Sequence, residues 1–136
     1  PHRSLDNYHP LLRGLDEVFF VPHSRHTEIK MNDIALVKDL QVLTYSDMAG
    51  IHLISDMACR NFYATGHSEY DRNTLSKEYF RDKSKGLDIS VPYNYFPGDD
   101  PTKTPLITWR SAANIIFSNW LNYFVYQKTP YDLSTL

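Results

Sequence analysis

LQVLTYSDMAGIHLISDMACRNFYATGHSEYD, residues 40–71, is the stretch that decides the fold. Three β-prone runs, Leu40–Tyr45, Ile51–Ser55 and Asn61–Thr65, are separated by the turns DMAG (Asp47–Gly50) and Asp56–Arg60. Connections this short predict antiparallel neighbours, or a meander at the end of a larger sheet. The last run breaks at Gly66, where a glycine frees the backbone for a sharp turn. His67 and Glu69 then arrive at alternate positions. In extended geometry residues two apart face the same way, so both side chains project together from a strand end. In open α/β sheets, the carboxyl ends of strands are where ligand sites form. A carboxylate that holds an imidazole fixes its tautomer and stabilises the imidazolium, which a general base serving a nucleophile requires. The plain alternative is a surface turn whose His and Glu are merely solvated.

Working outward, LDEVFFV (Leu15–Val21) reads as a short buried strand stopped by Pro22. Asn32–Val37 reads as a small amphipathic helix with Asn32 as its N-cap. Downstream, Asp71–Lys85 predicts a helix with Leu75, Tyr79 and Phe80 facing inward and Gly86 as its C-terminal stop. Residues 90–107 are irregular, proline-rich and studded with aromatics. Trp109–Gln127 predicts a strongly apolar helix carrying Ile115, Ile116, Phe117, Trp120, Leu121, Phe124 and Val125. Strands alternating with helices indicate an α/β class. The elements are few for a doubly wound domain, and the pattern looks like the later part of one.

The chain's 136 residues suit one domain, 1–136. Hydrophobic residues at 42% and charged residues at 22% give a globular rather than a disordered profile. A net charge of −2 gives no electrostatic case for nucleic acid or an anionic membrane. A single cysteine, Cys59, excludes an internal disulfide and a cysteine-based zinc site, and a reducing compartment is the simpler expectation. PHRSLDNYHP at the start has no apolar stretch of the signal-peptide kind, and no apolar run is long enough to span a bilayer. Pro1 in place of Met predicts a processed or truncated piece.

Three further candidates carry polar chemistry. PHSRH, residues 22–26, follows a strand end. Its His23 and His26, with Glu28 nearby, have a metal-like spacing without a completing ligand, so a polar loop that hydrogen-bonds a small ligand is the better reading. Arg81 in YFRDKSKG is either a solvated helix charge or a planar fork able to grip a substrate carboxylate. Cys59 lies before the strand that leads to His67. That strand spans roughly 20 Å, which removes the thiol from hydrogen-bond reach of the imidazole and makes it structural.

PHSRHTE, ATGHSEYDRNTL, EYFRDKSKGLDISVPYNYFPGDDPTK and WRSAANIIFSNWLNYFVYQKTPYDL, in this order and spacing, resemble the C-terminal half of homoserine O-acyltransferases. The resemblance runs from Leu11 to Leu133. It implies the C-terminal part of a class I glutamine-amidotransferase-like (flavodoxin-like) three-layer α/β domain and a Cys–His–Glu triad. The cysteine of such a triad takes an acyl group from acyl-CoA and passes it to the homoserine hydroxyl. His67 resembles the base and Glu69 its orienting carboxylate; Ser24 and Arg81 resemble substrate contacts, Arg81 gripping the homoserine carboxylate. The nucleophilic cysteine and a lysine near the acyl site belong to an N-terminal half that this sequence does not contain. Cys59 is not at the nucleophile position. Ala112 stands where many relatives carry histidine, and MACR at 57–60 replaces a more polar turn. The resemblance further implies the first step of methionine biosynthesis in the cytoplasm, a succinyl or acetyl donor left undetermined, no cofactor or metal, no nucleic-acid or membrane partner, and a homodimer in the full-length protein. A half-length relative that binds an amino acid without chemistry, and a fragment that docks a partner chain, are the alternatives.

Overall fold

Residues 40–56 form the centre of the molecule. The computed structural model describes residues 1–129 and Ser134. In chain order its strands are β1 (His2–Ser4), β2 (Val18–Phe19), β3 (Leu40–Ser46), β4 (Gly50–Asp56) and β5 (Phe62–Ala64). They form one sheet in the order β2-β1-β3-β4-β5, and every described pairing is antiparallel. The meander β3-β4-β5 follows from the two short turns, as the sequence predicts. The expected short buried strand over 15–21 shrinks to Val18–Phe19, of which Phe19 is buried and Val18 exposed, and β1 is an element that no period in the sequence announces. Both are short because β1 and β2 pair over only two residues each way.

The β3–β4 register is not uniform. The pairs keep one register from Leu40–Asp56 to Val42–Ile54 and the same register again from Tyr45–Ile51 to Ser46–Gly50. Between them Thr44 faces Leu53 out of step, so Leu43 on β3 and His52 on β4 are each left without an opposite number. The Thr44 hydroxyl accepts the Leu53 N–H at 3.1 Å and repairs the ladder there. β4 is otherwise the core strand: Ile51, Leu53 and Ile54 are all buried. Each contributes about 1.5–3 kcal/mol through burial.

The helices are α1 (Met31–Ala35), α2 (Thr74–Ser84) and α3 (Arg110–Asn119). α1 is capped from Lys30 rather than Asn32, with the Asp33 carboxylate accepting the Lys30 N–H. On α2, Leu75 and Tyr79 point inward at a spacing of four, whereas Phe80 is exposed. A residue next to Tyr79 is rotated off that face, so the expected inward Phe80 does not follow. Gly86 ends the helix at φ 76°, where glycine is favoured. α3 continues into a π-helical turn, Trp120–Tyr126, instead of running as one α-helix to Gln127. Ala112, Ala113 and Ile116 are buried, while Phe117 and Trp120 are exposed.

The irregular segment 90–107 is packed down on α2. Tyr95, Phe96 and Trp109 bury against Leu75 and Tyr79. The Tyr95 hydroxyl donates to the Arg72 carbonyl and accepts the Ser76 N–H. No helix among the described residues is long and apolar enough to cross a membrane. The last part of the quoted motif, Pro130–Leu133, lies outside the described residues.

Candidate active site

His67 is fixed first through its backbone. Past β5, the Thr65 N–H donates to the His52 carbonyl at 2.9 Å and the His67 N–H donates to the Pro22 carbonyl at 2.8 Å. Between them the Gly66 N–H donates to His52 Nδ1 at 3.2 Å. The turn is thereby tied to β4 on one side and to the loop after β2 on the other. Gly66 is not in the left-handed region, so the expected need for a special backbone angle gives way to a need for space. A Cβ there would lie 2.6 Å from Val21 Cγ1, 2.7 Å from His23 Nε2 and 2.9 Å from His52 Nδ1.

The two side chains meet, but through a turn and not through the expected extended strand end: the Tyr70 N–H donates to the His67 carbonyl at 3.2 Å, and Ser68 and Glu69 form the turn between them. His67 Nδ1 and Glu69 Oε1 are 2.9 Å apart. With Nδ1–H donated to the carboxylate, Nε2 keeps its lone pair and can take a proton. The imidazole side chain is 34% exposed, which leaves it accessible without being fully solvated. Its ring stacks on Tyr70 at 4.3 Å between centroids and 12° between planes. Tyr70 is braced in turn. Its hydroxyl donates to Glu78 Oε1 at 2.9 Å on α2, and its carbonyl accepts the Trp109 indole N–H at 3.0 Å. Burial and the Glu78 hydrogen bond push the Tyr70 phenol up to about 12, so it stays a donor.

Arg81 lies three residues beyond Glu78 on the same helix. Its guanidinium binds its neighbour Asp82 through two hydrogen bonds, of 2.7 and 2.8 Å, with the arginine side chain 56% exposed. That bond is the main reason the Asp82 carboxyl lies below the usual carboxylate range. The fork is formed and reachable, and a substrate carboxylate would have to replace or share Asp82. Ser24 is half-buried two residues past Pro22, and its hydroxyl has no hydrogen-bond partner among the described residues. The structure therefore joins His67 and Glu69 directly, links them through Tyr70 and Glu78 to the helix of Arg81, and leaves Ser24 in the adjoining loop.

Behind the turn sit three imidazoles. His2 Nε2 and His23 Nε2 are 3.0 Å apart, and His52 stands edge-on to both rings. Burial, followed by mutual repulsion, lowers His2 to about 3. Burial, followed by the Arg25 charge, lowers His23 to about 4. Burial likewise holds His52 well below the ordinary histidine value. The three are neutral near pH 7. His23 thus faces His2 rather than joining His26 and Glu28, and no three acidic, histidine or cysteine side chains among the described residues are arranged to hold a metal. A cavity of about 460 Å³ opens on the other side of this cluster, lined by His23, Arg25, Tyr45, Tyr95 and Trp109 among others. His67, Glu69, Ser24 and Arg81 do not line it.

Cys59 occupies a left-handed position at φ 53° in the β4–β5 turn. Its sulfur lies 3.6 Å from His9 Nε2, not beside His67. Ala112 packs in the core with Leu11, Leu12 and Phe19. Sequence reasoning missed His52, Tyr70 and Glu78. Tyr70 stood inside the quoted motif, and a lone histidine within the apolar run IHLIS was the available sign of His52.

The family model described as "HTS: Homoserine O-succinyltransferase" matches residues 1–131. The chain is 52% identical over 136 residues to a homoserine O-acetyltransferase of Acetivibrio thermocellus, covering all of this chain and 45% of that protein. It is 54% identical over 127 residues to one of Petrotoga mobilis, covering 93% of the chain and 41% of the relative. It is 56% identical over 126 residues to one of Clostridium beijerinckii, again covering 93% and 41%. The chain thus spans less than half the length of these curated relatives. With the family model matching nearly every residue, the chain belongs to the homoserine O-succinyltransferase family.

Proposed function

We propose that the full-length protein transfers an acyl group from acyl-CoA to the hydroxyl of L-homoserine, the first step of methionine synthesis. In this reading the present chain supplies the base, its orienting acid and the amino-acid contacts. The observation that carries the reading is the His67 Nδ1–Glu69 Oε1 bond of 2.9 Å within a chain of this family. A thiolate supplied from outside this chain attacks the thioester carbonyl, and coenzyme A leaves with a proton from the His67 imidazolium. The homoserine hydroxyl then attacks the acyl-enzyme. His67 Nε2 takes the hydroxyl proton as the new ester bond forms, and the cysteine sulfur departs. Glu69 holds the ring in the productive tautomer throughout and stabilises each imidazolium. Arg81 fixes the homoserine carboxylate through its fork, exchanging Asp82, and Ser24 lines the amino-acid side. We take the whole protein to be a three-layer, glutamine-amidotransferase-like α/β domain, cytoplasmic and homodimeric, without a cofactor. Acetyl is the group named for the relatives and succinyl the group in the family description, so both donors belong in the assay.

The test is turnover of homoserine by the full-length protein with acetyl-CoA or succinyl-CoA, followed by release of free coenzyme A thiol. His67→Ala should lower turnover by at least about 10³-fold while leaving the circular dichroism spectrum unchanged. Turnover within tenfold of the wild type would remove His67 as the base. A second reading is favoured by one observation: the single cysteine of the chain pairs with His9, so this chain alone holds no thiol beside the base. On that reading it binds an amino acid without chemistry, and calorimetry would detect homoserine binding that Arg81→Ala abolishes.

A further inference from the structure

We infer that His52, buried on β4, is the positioning residue for the base. The inference rests on the reading of His67 as base and goes beyond it in naming what aims His67. Three observations converge. His52 lies at the irregularity of the β3–β4 pairing, where it and Leu43 are both left without an opposite number. Its ring is 1% exposed, and its Nδ1 accepts the amide of Gly66, the residue immediately before His67. Gly66 has no room for a side chain, because the same Nδ1, His23 Nε2 and Val21 Cγ1 occupy the place a Cβ would take.

The chemistry of the contact sets the state of His52. An amide donates, so Nδ1 carries a lone pair and the ring bears its proton on Nε2. Protonation of Nδ1 would break the contact. His2 on β1, His23 and Arg25 in the loop after β2, and His67 itself are the charged or titratable groups that act on His52, and each opposes a charge there. His52 is thus held as a neutral acceptor. Its carbonyl takes the Thr65 N–H as well, so one residue grips the turn by both side chain and backbone. Removing the acceptor leaves the Gly66 amide unsatisfied and lets the Thr65–Gly66 peptide rotate, which shifts the turn and carries the imidazole away from Glu69 and from the reacting atoms.

The test compares His52→Leu, His52→Asn and His52→Gln in the full-length protein. Asparagine places an amide oxygen where Nδ1 stands, whereas glutamine places it near the Nε2 position. His52→Leu and His52→Gln should lower kcat about 10- to 100-fold, the cost of a base displaced by about 1 Å, with KM for homoserine changed less than about twofold. His52→Asn should restore kcat to within about threefold. The low-field proton resonance of the His67–Glu69 bond should weaken in the leucine and glutamine variants and persist in the asparagine variant. If the leucine variant does not fold, the asparagine–glutamine pair decides. Equal kcat and equal resonance in asparagine and glutamine variants would overturn the inference, as would wild-type kcat in His52→Leu. His67→Ala in the same assay separates the two ideas. Should it retain turnover, the base assignment falls by itself, and the resonance still reports whether His52 holds the His67–Glu69 bond.

Discussion

Gly66 and Arg81 carry the residue-scale consequences. A methyl group at Gly66 meets three groups closer than 3.0 Å, and two of them are ring nitrogens of buried or half-buried histidines. Gly66→Ala should therefore destabilise the fold by about 1–3 kcal/mol, the usual cost of overpacking a filled site. Urea denaturation measures it, and an unchanged midpoint would mean that the turn has slack. Arg81→Lys tests a different property. Lysine keeps the charge but lacks the planar fork that now binds Asp82 through two bonds. In the full-length protein it should raise KM for homoserine by about tenfold while kcat changes less, because a point charge cannot reproduce the bidentate contact. Unchanged KM would take the carboxylate grip away from Arg81.

Elements matter through what they bring together. β1 supplies His2, the loop after β2 supplies His23, and β4 supplies His52, so three separate stretches of chain converge on one neutral cluster. Its pH dependence has a definite sign. In the unfolded chain these histidines titrate near 6.5, whereas in the fold His2 and His23 are lowered to about 3 and about 4. Above pH 6.5 both states are deprotonated and the cluster leaves stability unchanged. As the pH falls below 6.5 the unfolded chain binds protons that the fold refuses, so stability is lost down to about pH 4, and more slowly to about 3. The slope is at most about 1.4 kcal/mol per pH unit for each histidine held neutral. Urea midpoints should be lower at pH 5 than at pH 7, and His2→Phe should reduce that difference. A midpoint that rises on acidification would contradict the neutral cluster.

For the whole molecule, the proposed reaction requires a nucleophile, and Cys59 is the candidate to test. Cys59 is the only thiol in the sequence, and it sits at the far end of the β4–β5 hairpin from His67, against His9. Cys59→Ser in the full-length protein should leave acyl transfer within about twofold of wild type, because the thiol touches no reacting atom. A loss as large as that of His67→Ala would place Cys59 in the chemistry. The chain's share of its relatives, 41–45% of their length, gives ample room for another thiol to be supplied.

The sequence by itself determined the local and the short-range. Two tight turns dictated the β3-β4-β5 meander, and His67 and Glu69 stand close enough in the chain to meet, although a turn rather than an extended strand brings them together. The stripe Leu75–Tyr79 and the stop at Gly86 defined α2, and the motifs carried the family. These depend on periods and turns that act over a few residues. Tertiary structure alone decided the rest. The pairing of β1 with β3, the contact of the Gly66 amide with His52, and the brace from Tyr70 to Glu78 and Trp109 join residues far apart in the chain. A local irregularity in strand pairing is set by how the two strands meet, and a buried imidazole's neutrality by what surrounds it. Neither has a period, so neither is written in any short stretch of residues.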